Sequence, residues 1–97
     1  MSVKIFAVVA VLFLTPVLAC AGYEEGYEAA KKGMYQVART EFRKAALKGD
    51  ARAQYSLGIM YFDGIGVKKD RKEAMIWLKK AADQGHKIAI EVLKRNQ

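Results

Sequence analysis

His86 is the only histidine of the 97-residue chain, and Cys20 is its only cysteine. A metal centre needs several ligands brought to one point, and nucleophilic catalysis needs a nucleophile beside a base. No His/Cys/Asp cluster accompanies His86, so a helix-capping or solvent-facing imidazole is the favoured role. Gly64-Ile65-Gly66 has the glycine density of a phosphate loop. It lacks both the preceding strand and the Gly-Lys-Ser/Thr ending that such a loop requires. Lys68, Lys69, Arg71 and Lys72 crowd four cations around Asp70 at a helix start. Cations there oppose the helix dipole, so local stability does not explain them. They form either a solvated loop tip, the more ordinary outcome, or an anion-binding patch. Catalytic, cofactor-binding and metal-binding residues are therefore expected to be absent. The chemistry left to the chain is binding.

The elements that would position a binding surface can be read from spacing. Ala45-Ala46-Leu47-Lys48-Gly49, followed by Ala53, recurs as Ala81-Ala82-Asp83-Gln84-Gly85, followed by Ala89, at a constant offset of 36 residues. Ala38 and Ala74 keep the same offset, as do Leu57 and Leu93. A fixed period of this size marks stacked helical repeats. Paired alanines let neighbouring helices approach closely. Gly49 and Gly85 stand where a left-handed residue closes a helix. Asp50 and Asp70 stand where an N-cap belongs, and Glu73 makes Asp70 the start of a capping box. Gly64 and Gly66 free the backbone of the loop within the second hairpin. Helices are predicted over 23–32, 35–48, 51–62, 71–84 and 87–95.

The run Leu57-Gly58-Ile59-Met60-Tyr61, then Gly64-Ile65-Gly66-Val67, Asp70, Ala74, Trp77 and Lys80-Ala81-Ala82-Asp83-Gln84-Gly85, resembles a Sel-one-like repeat, the longer-looped relative of the tetratricopeptide repeat. Upstream, Gly26, Ala29, Gly33, Ala38, Phe42 and Ala45 are spaced like a plain tetratricopeptide hairpin. Gly26 to Ala38 is 12 positions and Gly58 to Ala74 is 16, so the second unit carries the longer loop. The resemblance implies an all-α fold, a short right-handed α-solenoid of about two hairpins plus a capping helix. Unit 1 covers about 23–49, unit 2 about 50–85 and the cap about 87–95, within a domain of 22–97. It also implies a non-enzymatic adaptor or scaffold with a protein or peptide partner.

Helix faces separate core from surface. Leu57, Tyr61, Ala74, Trp77, Leu78, Ala81 and Leu93 are expected to be buried, with Ile88, Ala89, Val92 and Leu93 on the inner side of the last helix. The third helix is apolar nearly all round, as befits a central helix packed on two sides. Tyr55, Ile59 and Phe62 on its second stripe serve either packing between repeats, the favoured reading, or a ligand surface. In a hairpin stack the first helix of each unit lines the concave side. The candidate partner-binding residues are thus Tyr27, Lys31, Arg52, Tyr55, Ser56, Ile59 and Phe62.

The first residues point to export. Lys4 precedes an uncharged run from Ile5 to Ala19, too short for a comfortable membrane span, with Ala19-Cys20-Ala21 as a cleavage site. Residues 1–21 are expected to be a signal peptide and the mature form a periplasmic protein with no transmembrane span. Val17-Leu18-Ala19-Cys20 also resembles a lipobox, which would anchor the protein through a lipidated Cys20. The chain carries a formal net charge of +7, and losing Lys4 leaves about +6. An exported basic protein meets anionic envelope polymers or lipids, a second class of partner, rather than nucleic acid.

Overall fold

The computed structural model describes residues 22–96. The signal peptide read over residues 1–21, Cys20 included, lies outside them. Five helices follow one another: α1, described over residues 22–31, α2 (Tyr35–Leu47), α3 (Ala51–Asp63), α4 (Arg71–Asp83) and α5 (Lys87–Arg95). Among the described residues there is no strand. Each helix packs on the next, so that α1–α2 and α3–α4 form hairpins and α5 closes on α4. The result is an all-α helical-repeat solenoid. Its helix limits lie within one residue of those the sequence pattern predicts.

One piece of turn chemistry recurs three times. After α1, the N–H of Met34 donates to the Ala29 carbonyl (2.9 Å) and that of Gly33 to Ala30 (3.0 Å). After α2, Asp50 donates to Ala45 (3.1 Å) and Gly49 to Ala46 (3.0 Å). After α4, His86 donates to Ala81 (3.1 Å) and Gly85 to Ala82 (2.8 Å). This crossed pair of bonds satisfies orphan carbonyls and requires a left-handed residue, supplied by Gly33, Gly49 and Gly85 at φ of 76°, 94° and 87°. Ala29-Ala30-Lys31-Lys32-Gly33 is thus a third copy of the alanine-pair signature. The 36-residue offset hides it, because this copy ends a first helix and the other two end second helices.

The N-caps follow expectation, with one departure. Asp50 accepts from the N–H groups of Arg52 and Ala53, and Asp70 from that of Glu73 (3.1 Å). The reciprocal half of the capping box does not form. Glu73 instead accepts from the Trp77 indole N–H (3.1 Å), and the Asp70 N–H donates to the Tyr61 carbonyl (2.9 Å). A buried indole needs an acceptor, and Glu73 lies one helical turn before it. His86 caps α5, its Nδ1 accepting from Ala89 N–H at 3.2 Å.

Close approach explains the core. Among the described residues, thirteen buried apolar residues include eight alanines, and only Leu57 and Leu78 are large side chains fully out of solvent. A Cβ on Gly26 would stand 2.7 Å from the Phe42 ring, and one on Gly58 would stand 2.9 Å from Leu78 Cγ. Both hairpins therefore use a glycine on the first helix to admit a large residue from the second. Tyr61 and Leu93, expected to be buried, are partly exposed while still packing on the core. Ile88 departs further, at 56% exposed. The apolar stripe of α5 is wider than the strip α4 covers, and only Ala89 is buried on it.

Two contacts among those that join the hairpins could not be expected from helix faces alone. Gln54, 5% exposed, donates from Nε2 to the Ala46 carbonyl (3.2 Å) and accepts from Gln84 Nε2 (2.8 Å). Gln84 also donates to the Gly49 carbonyl (2.9 Å), so one amide pair joins the ends of α2 and α4 to the buried side of α3. The second contact is the long loop. Ile65 and Val67 pack against the larger core cluster, and between them Gly66 lies against Tyr35 at the start of α2. The additional loop residues of the second hairpin are a fastening onto the first.

Candidate functional site

The first helices of the units, α1 and α3, meet along a face where aromatic rings and cations alternate. The Arg52 guanidinium lies 4.1 Å from the Tyr23 ring centre. Tyr23 stacks on Tyr27, with centroids 6.3 Å apart and planes within 24°. Lys31 Nζ then lies 5.5 Å from the Tyr27 ring centre. Tyr23 and Tyr27 are one turn apart on α1, as are Tyr27 and Lys31, which places all three along one side of that helix. Carboxylates steady the cations: Asp50 (3.2 Å) and Glu24 (3.8 Å) flank Arg52, and Glu28 (3.4 Å) reaches Lys31. Tyr27 remains 48% exposed.

The other residues read from the sequence as partner-binding have mixed fates. Tyr55 stacks on His86, with centroids 4.7 Å apart and planes within 20°. Tyr55 and Ile59 both pack against the cluster of Leu78, Ala81 and Ala89. Their larger part is packing on α4 of their own hairpin and on the capping helix α5. Ser56 is half-buried, and Phe62 carries Arg71 5.6 Å from its ring centre. The structure thus brings Tyr27, Lys31 and Arg52 into one array and separates Tyr55, Ile59 and Phe62 from it. Tyr23 belongs to that array and escaped sequence reasoning. Its ring packs on Phe42, with centroids 5.7 Å apart, and also carries the guanidinium. The signal was present in its spacing of one turn before Tyr27.

The four cations of the candidate anion patch do not act alike. Lys68, Lys69 and Lys72 are exposed, whereas Arg71 turns to Phe62 and to the Asn96 carbonyl and side-chain oxygens (3.4 Å each). Among the described residues no group of His, Cys, Asp and Glu is arranged to hold a metal ion. None of the described helices is long and apolar enough to cross a membrane.

This architecture is similar to the crystal structure of a Sel1 repeat protein from Oxalobacter formigenes, with a TM-score of 0.76 and 38% identity over 81% of this chain and 24% of that one. Residues 51–86 match the Sel1 repeat family. The chain contains a Sel1 repeat. The matched Sel1 repeat holds α3, the long loop and α4, the hairpin whose loop fastens onto Tyr35. Relatives include a sel1-like repeat-containing protein of Acanthamoeba polyphaga mimivirus, 48% identical over 47% of this chain. Another is an Arabidopsis thaliana ERAD-associated E3 ubiquitin-protein ligase component, HRD3A, 39% identical over 50% of it. The matches span 8% and 7% of those proteins, so the chain corresponds to a small part of either.

Proposed function

We propose that this Sel1 repeat-containing protein is a non-enzymatic interaction module, an adaptor or scaffold exported to the periplasm or envelope. The observation that carries the reading is the array of Arg52, Tyr23, Tyr27 and Lys31 along the first helices of the units. Aromatic faces and cations held in register suit an extended or amphipathic peptide with acidic side chains. The relative named as a ligase component supports assembly work in proteins of this kind. The periplasmic assignment rests on the leader read over residues 1–21. An intact mass beginning at Gly22 is the expected result for protein recovered from the envelope. A mass beginning at a lipidated Cys20 would place the protein on a membrane instead.

Tyr27→Ala should weaken capture of a crosslinked envelope partner by roughly tenfold, the scale of an exposed aromatic anchor. Lys68→Ala with Lys69→Ala should leave capture near the wild-type level, and added salt should reduce it only in part. The second reading, binding of an anionic envelope polymer or lipid, has the exposed Lys68, Lys69 and Lys72 in its favour. Loss of capture in the double lysine variant, with normal capture by Tyr27→Ala, would establish that reading and sink the first.

A further inference from the structure

Helices α3, α4 and α5 each begin on a side chain that accepts a hydrogen bond from the helix backbone. Two of those caps are aspartates and the third is His86. The repeat offset of 36 residues sets His86 against Asp50, so an imidazole stands where the preceding unit has a carboxylate. That substitution changes when the cap can work. A carboxylate stays ionised, and so keeps accepting, through the neutral and mildly acid range. An imidazole accepts at Nδ1 only while that nitrogen carries no proton, and once protonated both its nitrogens are donors. Histidine is the side chain whose charge changes between mildly acid and neutral pH.

A proton on His86 would work against the cap in two ways. The Ala89 N–H would face a donor in place of the acceptor it now has at 3.2 Å. The new charge would also stand at the positive end of the helix dipole. The groups around the ring offer little in return. Among the described residues no carboxylate is ion-paired with it. Asp83 ends α4 three residues earlier and is exposed, while Lys87 opens α5 with a like charge. On α3, Arg52 is turned to Tyr23, and the Tyr55 ring stacks on the imidazole with centroids 4.7 Å apart. An aromatic face can favour a cation. Yet no rotation of a doubly protonated ring restores an acceptor, so the stack cannot save the cap.

Helix α5 is the element that such a loss would move. It has nine residues, and only Ala89 on it is buried. A helix so short does not hold in water without its packing. The link at its far end, from Arg71 to Asn96, joins exposed groups. Ala89 shares a cluster with Leu78 and Ala81, on which Tyr55 and Ile59 of α3 also pack. We propose that His86 is a proton-operated latch that holds α5 closed over this cluster at neutral pH and loosens it in mild acid, uncovering Tyr55 and Ile59. The sign follows from the bond: its stabilisation is present while the ring is neutral and is lost as pH falls and the ring takes up a proton.

Amide hydrogen exchange on the purified protein, read residue by residue by NMR at about pH 8 and about pH 5, tests the latch. Rates are divided by those of an unstructured peptide at the same pH, which removes the intrinsic dependence of exchange on acidity. Protection of the α5 amides should fall about fivefold in acid, the scale of a lost N-cap, while that of α2 holds. His86→Asp places the carboxylate of Asp50 at the equivalent position and should keep α5 equally protected at both pH values. His86→Ala should show the low protection at both. Wild-type α5 protection that does not change with pH would overturn the proposal. So would an acid loss in His86→Asp as large as that of the wild type, since the titrating group would then lie elsewhere.

Discussion

Replacing Trp77 by alanine should lower the unfolding free energy by about 3–5 kcal/mol, the usual loss when a buried aromatic leaves a cavity. Trp77 is 5% exposed and belongs to the larger core cluster, where it joins Phe42 and Leu57. Its N–H donates to Glu73 at 3.1 Å, and Lys80 Nζ lies 5.4 Å from the indole ring centre. The surrounding core is made mostly of alanines on fixed helices, and such residues have little side chain with which to fill a void. A small domain holds about 5–15 kcal/mol in total, so the variant should approach global unfolding. Urea denaturation followed by circular dichroism measures the change. Trp77→Phe keeps a ring in the core and loses the hydrogen bond and only part of the buried volume, so it should cost clearly less. An unchanged midpoint for Trp77→Ala would show that the indole does not hold the hairpins together.

Gly66→Ala should cost about 2–4 kcal/mol, the sum of backbone strain and overpacking. Gly66 has φ of 67°, and a Cβ there would stand 2.6 Å from Tyr35 Cβ and 2.8 Å from its carbonyl carbon. The second obstacle is backbone and cannot rotate away. Gly85→Ala supplies the comparison. Its φ is 87°, yet no atom lies within 4 Å of the added Cβ, so only the left-handed strain of about 1–2 kcal/mol should appear. Thermal or urea melts of the two variants separate strain from contact. Equal losses would mean that the loop does not bear on Tyr35.

Local chemistry was legible in the sequence, and contacts between units were not. Paired alanines followed by glycine, and aspartates at helix starts, act within a few residues of chain. They placed the helix ends and the N-caps at Asp50 and Asp70. The buried face of α4 could be read because its apolar period is unambiguous, with Ala74, Trp77, Leu78 and Ala81 all in the core. Gln54 was opaque for the opposite reason. A glutamine signals surface, and only the carbonyl of Ala46 and the amide of Gln84 make its burial affordable. The docking of the long loop on Tyr35 was equally hidden, since glycines in a loop announce freedom rather than proximity. Tyr55 and Ile59 illustrate a third limit. An apolar stripe looks the same whether the chain's own helices or a partner covers it, and here α4 and α5 do.

The seating of Gly66 on Tyr35 at one end of α2, with Gln54 and Gln84 at the other, also decides how the chain comes apart. Repeat arrays divide their stability between what each unit holds alone and what neighbours share. Here a loop belonging to the second hairpin rests on the first, and the amide that closes α2 sits on α3 and is met from α4. Much of the stabilisation is therefore shared rather than owned. Neither hairpin can open while the other stays intact without breaking contacts on both, so the pair behaves as one cooperative block with no half-folded species between its two states.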